Sequence, residues 1–268
     1  MPVEVIRGDS PVVLGMPHTG TDMPVRIFDQ LTPIGQTLGD TDWHIQRLYD
    51  GLIPGTTVVR ATFHRYVIDA NRDPKGTSLY PGQNTTGLVP MTNFDGEALW
   101  YESPDDVEIE ARRRDYHVPY HDALSVELER IRALHGVAIL YDCHSIRSEI
   151  PFLFEGVLPD FNIGTNTGIT CDPAIETALV EICNGAEGYT SILNGRFKGG
   201  WSTRNYGHPS KGLHAIQMEL AQSTHLKMEK PPFSYDVEKA ENLQRHLRQA
   251  LASVQKIAFD LKLSLTHI

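Results

Sequence analysis

The sequence is poor in cysteine, and its few cysteines form no pattern. Only three are present, Cys143, Cys171 and Cys183, so their number is odd and they lie far apart. No Cys-x-x-Cys pair occurs. This arrangement argues against a disulfide framework, which needs paired cysteines, and it predicts a reducing compartment, which we expect to be the cytoplasm.

Long apolar runs and an excess of positive charge are also missing. No apolar run is long enough to span a membrane, and residues 1–5 lack the basic segment followed by an apolar one that marks a signal peptide. The net charge is −10 with His neutral, which argues against nucleic-acid binding, because that needs a basic face. A small anionic amino-acid derivative stays compatible as a substrate, because a few local arginines can reverse the field in a cleft.

Several catalytic motifs are absent as well. The sequence has no Gly-x-Ser-x-Gly elbow, which disfavours a serine hydrolase, and no His-Glu-x-x-His, which excludes the helix-borne zinc-protease layout. The segment 194–204 contains three basic residues among glycines but has the spacing of neither a P-loop nor a dinucleotide-binding loop. It predicts either a loop that approaches an anion or a solvated basic loop.

What is present is an alternation of apolar runs and helical patterns. With 40% hydrophobic and 22% charged residues, the composition is that of an ordinary globular protein. Strands are predicted at 11–16, 56–62, 66–69, 137–145 and 213–220. Helices are predicted at about 40–50, 103–134 (capped at Ser103, kinked or broken near Pro119), 172–183 and from 234 onward. Because strands and helices alternate, the sequence predicts an α/β sheet.

Four of the apolar runs end in side chains that carry chemistry: His18, Asn71 with Arg72, His144 and Glu219. Taken singly, each His could equally be structural, but strand ends in an open α/β sheet meet at one edge, where ligands bind. Two His, one carboxylate and water form a common open zinc site, and a further Glu can accept a proton from the water. An Asn–Arg pair can hold a substrate carboxylate. The residues therefore predict metal-assisted hydrolysis of an acylated amino acid.

The chain resembles the N-formylglutamate amidohydrolases along nearly its whole length. Seven segments keep the order of that family: 16–22, 40–44, 67–74, 78–82, 141–148, 194–201 and 217–220. The resemblance implies a single domain over 1–268 and a three-layer α/β fold of the phosphorylase/hydrolase type, with a mixed sheet flanked by helices as in zinc carboxypeptidases and aspartoacylase. It also implies hydrolysis of N-formyl-L-glutamate to L-glutamate and formate, the deformylase step of histidine degradation.

The resemblance further implies roles for the residues at the strand ends. His18 and His144 would bind one divalent metal ion, which we expect to be zinc, and Glu219 would be the general base toward the metal-activated water. Asn71 and Arg72 would bind a substrate carboxylate. The substrate has a second carboxylate, so a further arginine is expected to converge on it. The candidates, in order, are Arg147, Arg196 and Arg204.

One departure from the pattern of those zinc enzymes concerns the third metal ligand. They place a Glu three positions after the first His, whereas Thr21 stands there in this chain. The carboxylate must therefore come from elsewhere. We predict Asp42, because the helix that it begins follows the first strand as the ligand-bearing helix does in those relatives. Asp40 and Asp22 are the alternatives, and the remaining residues of 40–42 are expected to cap the helix.

Two other functions are compatible with the sequence. The chain could be a deacylase or small peptidase for another N-acyl acidic amino acid, or a metal- or ligand-binding α/β protein without catalysis. Glu219 argues against the second possibility, because a binding protein needs no base. The sequence leaves the oligomeric state open between a monomer and a homo-oligomer.

Overall fold

The computed structural model describes residues 1–77 and 82–265, without the side chains of 262–265. The family-like segment 78–82 therefore falls, except for Gly82, outside the described residues. Seven strands form one sheet: β1 (Val3–Ile6), β2 (Val12–Met16), β3 (Thr57–Ala61), β4 (Ala138–Ile146), β5 (Phe161–Gly164), β6 (Ser191–Leu193) and β7 (Leu213–Ala221). Their order across the sheet is β1-β3-β2-β4-β7-β5-β6.

The centre of the sheet is parallel and its edges are mixed. Strands β3, β2, β4 and β7 run parallel, β1 is antiparallel to β3, and β5 is antiparallel to β7. Every residue of β4 and β7 is buried, which is why apolar residues predominate in both strands. Both strands lie within about two residues of their predicted limits, and their register sets His144 opposite Glu219.

Helices cover both faces of the sheet. They are α1 (Val25–Phe28), α2 (Ile45–Tyr49), α3 (Asp106–Arg112), α4 (Val118–His135), α5 (Pro173–Asn184), α6 (Trp201–Tyr206) and α7 (Val237–Leu265). One core joins α2, α5 and α7 to the sheet through residues such as Leu48, Leu179 and Leu247. The other joins α1 and α4 through Ile27 and Leu128. The predicted three-layer α/β fold with a mixed sheet is confirmed. Among the described helices, none has both the length and the apolar character needed to cross a membrane.

The long helix predicted from residue 103 is divided into three parts. It begins at Asp106, and its N-cap is Asp105, whose side chain accepts the N–H of Glu108, so the predicted cap at Ser103 is wrong. A π-helical segment, Arg113–His117, separates α3 from α4. Pro119 lies in the first turn of α4, where a missing N–H costs no helical hydrogen bond. The interruption therefore comes from the π segment just before the proline.

The strand predicted at 66–69 is wrong. Residues 65–67 form a turn, in which the N–H of Val67 donates to His64 O at 2.9 Å. Tyr66, Val67 and Ile68 are nonetheless at most 1% exposed. The apolar run reflects burial of an irregular segment under α4, because burial alone produces the same pattern as a buried strand.

Candidate metal and substrate site

Three buried side chains from separate segments meet at the carboxyl edge of the parallel strands. His18 follows β2 by two residues, His144 lies near the end of β4, and Asp42 precedes α2. One ligand atom from each lies within 4.8 Å of the others. The structure thus brings together the two predicted His ligands and the predicted carboxylate.

Backbone contacts explain how Asp42 reaches this edge. Its N–H donates to His18 O at 3.1 Å, and its Oδ2 accepts the N–H of Ser145 at 3.2 Å. Helix α2 begins only at Ile45, after His44 in the left-handed conformation with φ of 63°. The expectation that residues 40–42 cap this helix is therefore wrong, because the helix starts later than predicted.

The two imidazole rings turn their Nδ1 atoms toward each other and toward Asp42. The Nδ1 atoms are 3.2 Å apart, and Asp42 Oδ2 lies 3.7 Å from that of His18 and 3.1 Å from that of His144. A tetrahedral zinc ion with bonds of about 2.0–2.2 Å separates neighbouring ligand atoms by roughly 3.3–3.6 Å. The spacing of the three atoms fits one ion of this size.

Two further carboxylates fix the ring orientations. His18 Nε2 donates to Asp69 Oδ1 at 2.7 Å, and His144 Nε2 lies 3.1 Å from Asp142 Oδ1. The Asn71 amide nitrogen also lies 3.1 Å from His144 Nε2. We assign a proton to that Nε2, because among the described residues buried Asp142 Oδ1 otherwise has no hydrogen-bond partner.

With both Nε2 atoms protonated, the two Nδ1 atoms present lone pairs. Three acceptors then converge in the interior, and a proton or a metal cation between them relieves their mutual repulsion. Burial raises the pKa of Asp42, but His18 and His144 outweigh it and hold that pKa below its ordinary value. Burial lowers the pKa of His144, whereas Asp142 and Asp42 raise it well above its usual range. Both directions favour positive charge here, so the donor set fits a divalent metal.

The two alternative carboxylates lie outside this group. Asp40 Oδ2 accepts the N–H of Phe94 at 3.0 Å, and burial raises its pKa to about 6. Asp22 is exposed and forms an isolated β-bridge with Phe63. Neither residue joins the three-residue group of potential ligands.

Glu219 lies beside the cluster on β7. It is 7% exposed and lines the same cavity as His18 and His144. Burial, the largest cause, raises its pKa to about 8, and a nearby cation would lower it again. Gln217 Nε2 donates to Glu219 Oε2 at 3.0 Å, and Gln217 Oε1 accepts the N–H of Gly200 at 2.6 Å. The carboxyl group is therefore both buried and oriented.

Asn71, Arg72 and Arg196 also contribute to the lining of this cavity. Arg72 donates to Thr86 O and Thr86 Oγ1, each at 2.9 Å. Arg196 donates to Leu153 O at 3.0 Å.

Two of the predicted arginines are absent from the described lining of the cavity. Arg147 donates to Asp95 Oδ2 at 2.7 Å. Arg204 donates to Gly199 O at 2.9 Å. The structure thus brings Arg72 and Arg196 to the cavity, but neither Arg147 nor Arg204.

Sequence reasoning missed Arg65 and Gln217, which both line the cavity. Arg65 is 5% exposed, donates to Asp69 Oδ2 at 2.8 Å, and its Nη1 lies 3.6 Å from Asp42 Oδ1. The available signal was a charged residue directly before an apolar run, but no local pattern identified the partners of that charge. Gln217 gave a similar signal, as a polar residue inside a buried strand.

The chain is similar to known proteins along most of its length. A sequence model of the N-formylglutamate amidohydrolase family matches residues 10–226. N-formylglutamate deformylases from Pseudomonas aeruginosa and Pseudomonas putida are each 45% identical over 251 residues, which cover 92% of this chain and 94% and 93% of those proteins. The crystal structure of N-formylglutamate amidohydrolase from Ralstonia eutropha JMP134 matches with a TM-score of 0.77 at 26% identity, covering 96% of this chain and 97% of that one.

Proposed function

The chain belongs to the N-formylglutamate amidohydrolase family, and we propose that it is a metal-dependent enzyme that hydrolyses N-formyl-L-glutamate to L-glutamate and formate. The observation that carries this proposal is the cluster of His18, Asp42 and His144 beside Glu219 in one cavity. The identity of 45% with N-formylglutamate deformylases over 92% of the chain supports this substrate.

We assign one zinc ion to His18, Asp42 and His144. Zinc bound there would supply a Lewis acid and lower the pKa of a water to near 7. Asp69 and Asp142 would hold the two rings with Nδ1 directed at the ion, as buried carboxylates behind metal-binding histidines commonly do.

Glu219 is the proposed general base. Its carboxylate accepts a proton from the attacking water and passes it to the departing amine as the C–N bond of the amide breaks. The hydrogen bond from Gln217 to Glu219 Oε2 supports this role, because it fixes the direction of the carboxyl group.

Arg65 is the proposed partner of the negative charge that develops on the formyl oxygen. Its guanidinium lines the cavity, and its buried Nε has no hydrogen-bond partner among the described residues. A fixed cationic donor in a site shielded from water stabilises such a charge more than the neutral carbonyl of the ground state.

Asn71 and Arg72 are proposed to bind one substrate carboxylate, and Arg196 the other. Their positions in the cavity lining support this assignment. Arg147 and Arg204 rank below Arg196, because their guanidinium groups donate to Asp95 and Gly199 O instead.

The test combines metal analysis with formate release from N-formyl-L-glutamate before and after chelation. We expect about one zinc per chain, and formate release that stops on chelation and returns on addition of zinc. N-acetyl-L-glutamate and N-formyl-L-aspartate, run alongside, test for a deacylase of another acyl amino acid. Preferred turnover of either compound would replace the proposed substrate. Metal without turnover of any of the three would favour a binding protein.

A further inference from the structure

The segment 67–72, which carries Asn71 and Arg72 and is called the turn below, accepts hydrogen bonds from side chains on one face of the helical segment 106–135. Three side chains on that face donate to carbonyl oxygens of the turn. Arg112 Nη1 donates to Val67 O at 3.2 Å, His121 Nε2 to Ala70 O at 2.7 Å, and His117 Nε2 to Arg72 O at 3.1 Å. The two histidines thus donate hydrogen bonds to the carbonyl groups of the residues on either side of Asn71.

These bonds have only one possible direction. A carbonyl oxygen can only accept, so Nε2 of each ring carries a proton. Burial lowers the pKa of His117, and lowers that of His121 to about 3, so both rings are neutral near pH 7. The hydroxyl of Tyr206 lies 3.0 Å from His121 Nδ1 and can donate to it. Each ring therefore serves its carbonyl as a fixed, uncharged donor.

The π-helical segment Arg113–His117 explains why the three donors share a face. Arg112 and His117 are five residues apart, and in a regular α-helix, at about 100° per residue, their side chains would point roughly 140° apart. A π turn closes hydrogen bonds from i to i+5 and so takes up the extra residue. His121 follows His117 by four residues and stays on the same side in α4.

The turn contacts both the potential metal ligands and the proposed substrate-binding residues. Asp69, which orients His18, donates its N–H to Leu88 O, and Asp69 Oδ1 accepts the N–H of Asn71 at 2.8 Å. Asn71 Oδ1 in turn accepts the N–H of Ser202 at 2.8 Å. A shift of the turn by a fraction of an ångström would therefore displace Asn71 and Arg72 together.

We propose that His117 and His121, brought into line with Arg112 by the π segment, are positioning residues that set Asn71 and Arg72 for binding of the substrate carboxylate. The substrate in this inference rests on the proposed function, whereas the hydrogen bonds from His117 and His121 to the backbone are independent of it. Neither histidine lines the cavity among the described residues, so their effect acts through the backbone of residues 70–72.

The experiment compares Asn and Gln at each position. The amide of Gln can take the place of His Nε2 and keep the bond, whereas the shorter Asn cannot reach the carbonyl. We expect His117→Asn and His121→Asn to raise KM roughly 10- to 100-fold, with kcat and zinc content within about twofold. The Gln variants should recover most of that loss. His135→Asn is the control, because His135 donates the same kind of bond from α4 to Asp9 O, at the opposite edge of the sheet.

Hydrogen exchange of the amides of residues 66–72 accompanies the kinetics. The Asn variants should lose protection there and the Gln variants should regain it. An unchanged KM in both Asn variants, or an equal change in His135→Asn, would overturn the positioning role. If the wild-type enzyme released no formate, the proposed function would fail. Unchanged hydrogen exchange at residues 66–72 in the Asn variants would separately overturn the proposal that His117 and His121 position this turn.

Discussion

At the scale of single residues, Glu219 stands where ionisation of a carboxyl group is costly. Burial, reinforced by Asp42 and Asp142, raises its pKa to about 8. We expect Glu219→Gln to lower kcat by about 10²–10⁴-fold, because the amide cannot accept a proton from water. KM and zinc content should change little, since the shape of the side chain is kept. Steady-state formate release and metal analysis check this.

Glu127 provides the matched control for that substitution. It is also a buried glutamate, but on α4, where it accepts hydrogen bonds from Arg7 and Arg130 at 2.7 Å each. Glu127→Gln should lower stability and leave kcat unchanged. A kcat of Glu219→Gln within about tenfold of the wild type would remove Glu219 from the role of base.

The proposed substrate-binding arginines can be ranked by the KM of their alanine variants. Arg72 lines the cavity, whereas Arg147 forms a part-exposed ion pair with Asp95. A hydrogen bond to a charged group contributes about 1.5–3 kcal/mol, so Arg72→Ala should raise KM roughly 10- to 150-fold with kcat nearly unchanged. Arg147→Ala should have a much smaller effect, because exposed ion pairs contribute about 0–1 kcal/mol. Equal KM values for the two variants would contradict the assignment of Arg72.

At the scale of elements, the sequence predicts the central strands well. β4 and β7 are buried on both faces, so most of their residues before His144 and Glu219 are apolar. The same signature misleads at 66–69, because a buried turn needs apolar residues as much as a strand does. The order of the strands lies outside any local pattern, because it depends on pairings between distant segments.

The site divides in a similar way between what can and cannot be predicted. His18 and His144 follow from strand ends, whereas the prediction of Asp42 depends on the family resemblance. Arg65 escapes prediction because its importance comes from Asp42, more than twenty residues earlier in the chain. Gln217 escapes for a related reason, since the N–H of Gly200 that orients it belongs to a separate loop.

Three histidines packed between elements make the fold sensitive to acid. Burial, the largest cause, lowers the pKa of His64 and His121 to about 3 and that of His225 to about 4. An unfolded chain protonates His near pH 6.5, so between pH 6.5 and about 4 the unfolded state binds more protons. The free energy of unfolding therefore rises with pH across this window, and the contribution of these residues is lost as the pH falls.

His225→Gln isolates one of these contributions. His225 Nε2 donates to Trp43 O at 3.0 Å, and Gln can keep a donor there without titrating. Between pH 6.5 and 4, the free energy of unfolding of the variant should fall less steeply than that of the wild type, by roughly 1.4 kcal/mol per pH unit. Asp40, whose pKa is raised to about 6 by burial, acts in the opposite direction but is common to both proteins. Parallel curves in urea unfolding from pH 7 to 4.5 would contradict this assignment.

At the scale of the whole molecule, an acidic chain brings three arginines together in one cavity, beside Asp42 and Glu219. The chain carries −10, yet its cavity is lined by Arg65, Arg72 and Arg196. At physiological salt the screening length is about 8 Å, so charges across the molecule are damped while those within the cavity act at full strength. The proposed dianionic substrate would therefore respond mainly to the groups that line the cavity, and the acidic surface would not exclude it.

A bound metal ion would also stabilise the molecule, because the segments that would hold it are distant in the sequence and meet only in the folded chain. His18 follows β2, His144 ends β4, and Asp42 precedes α2, so an ion bound by all three connects three elements. The unfolded chain has no such arrangement, and binding free energy then adds to folding free energy.

We therefore expect chelation to lower the thermal midpoint. At a free ion concentration of about 1,000 times Kd the stabilisation is about 4 kcal/mol, which corresponds to roughly 8–16 °C for a chain of this size. Asp42→Asn should lose most of this metal-dependent shift, because an amide replaces the charged ligand atom. Asp22→Asn should keep it, since Asp22 is exposed and outside the cluster. Scanning calorimetry with and without zinc decides the matter, and a shift that survives in Asp42→Asn would mean that the ion is held by other residues.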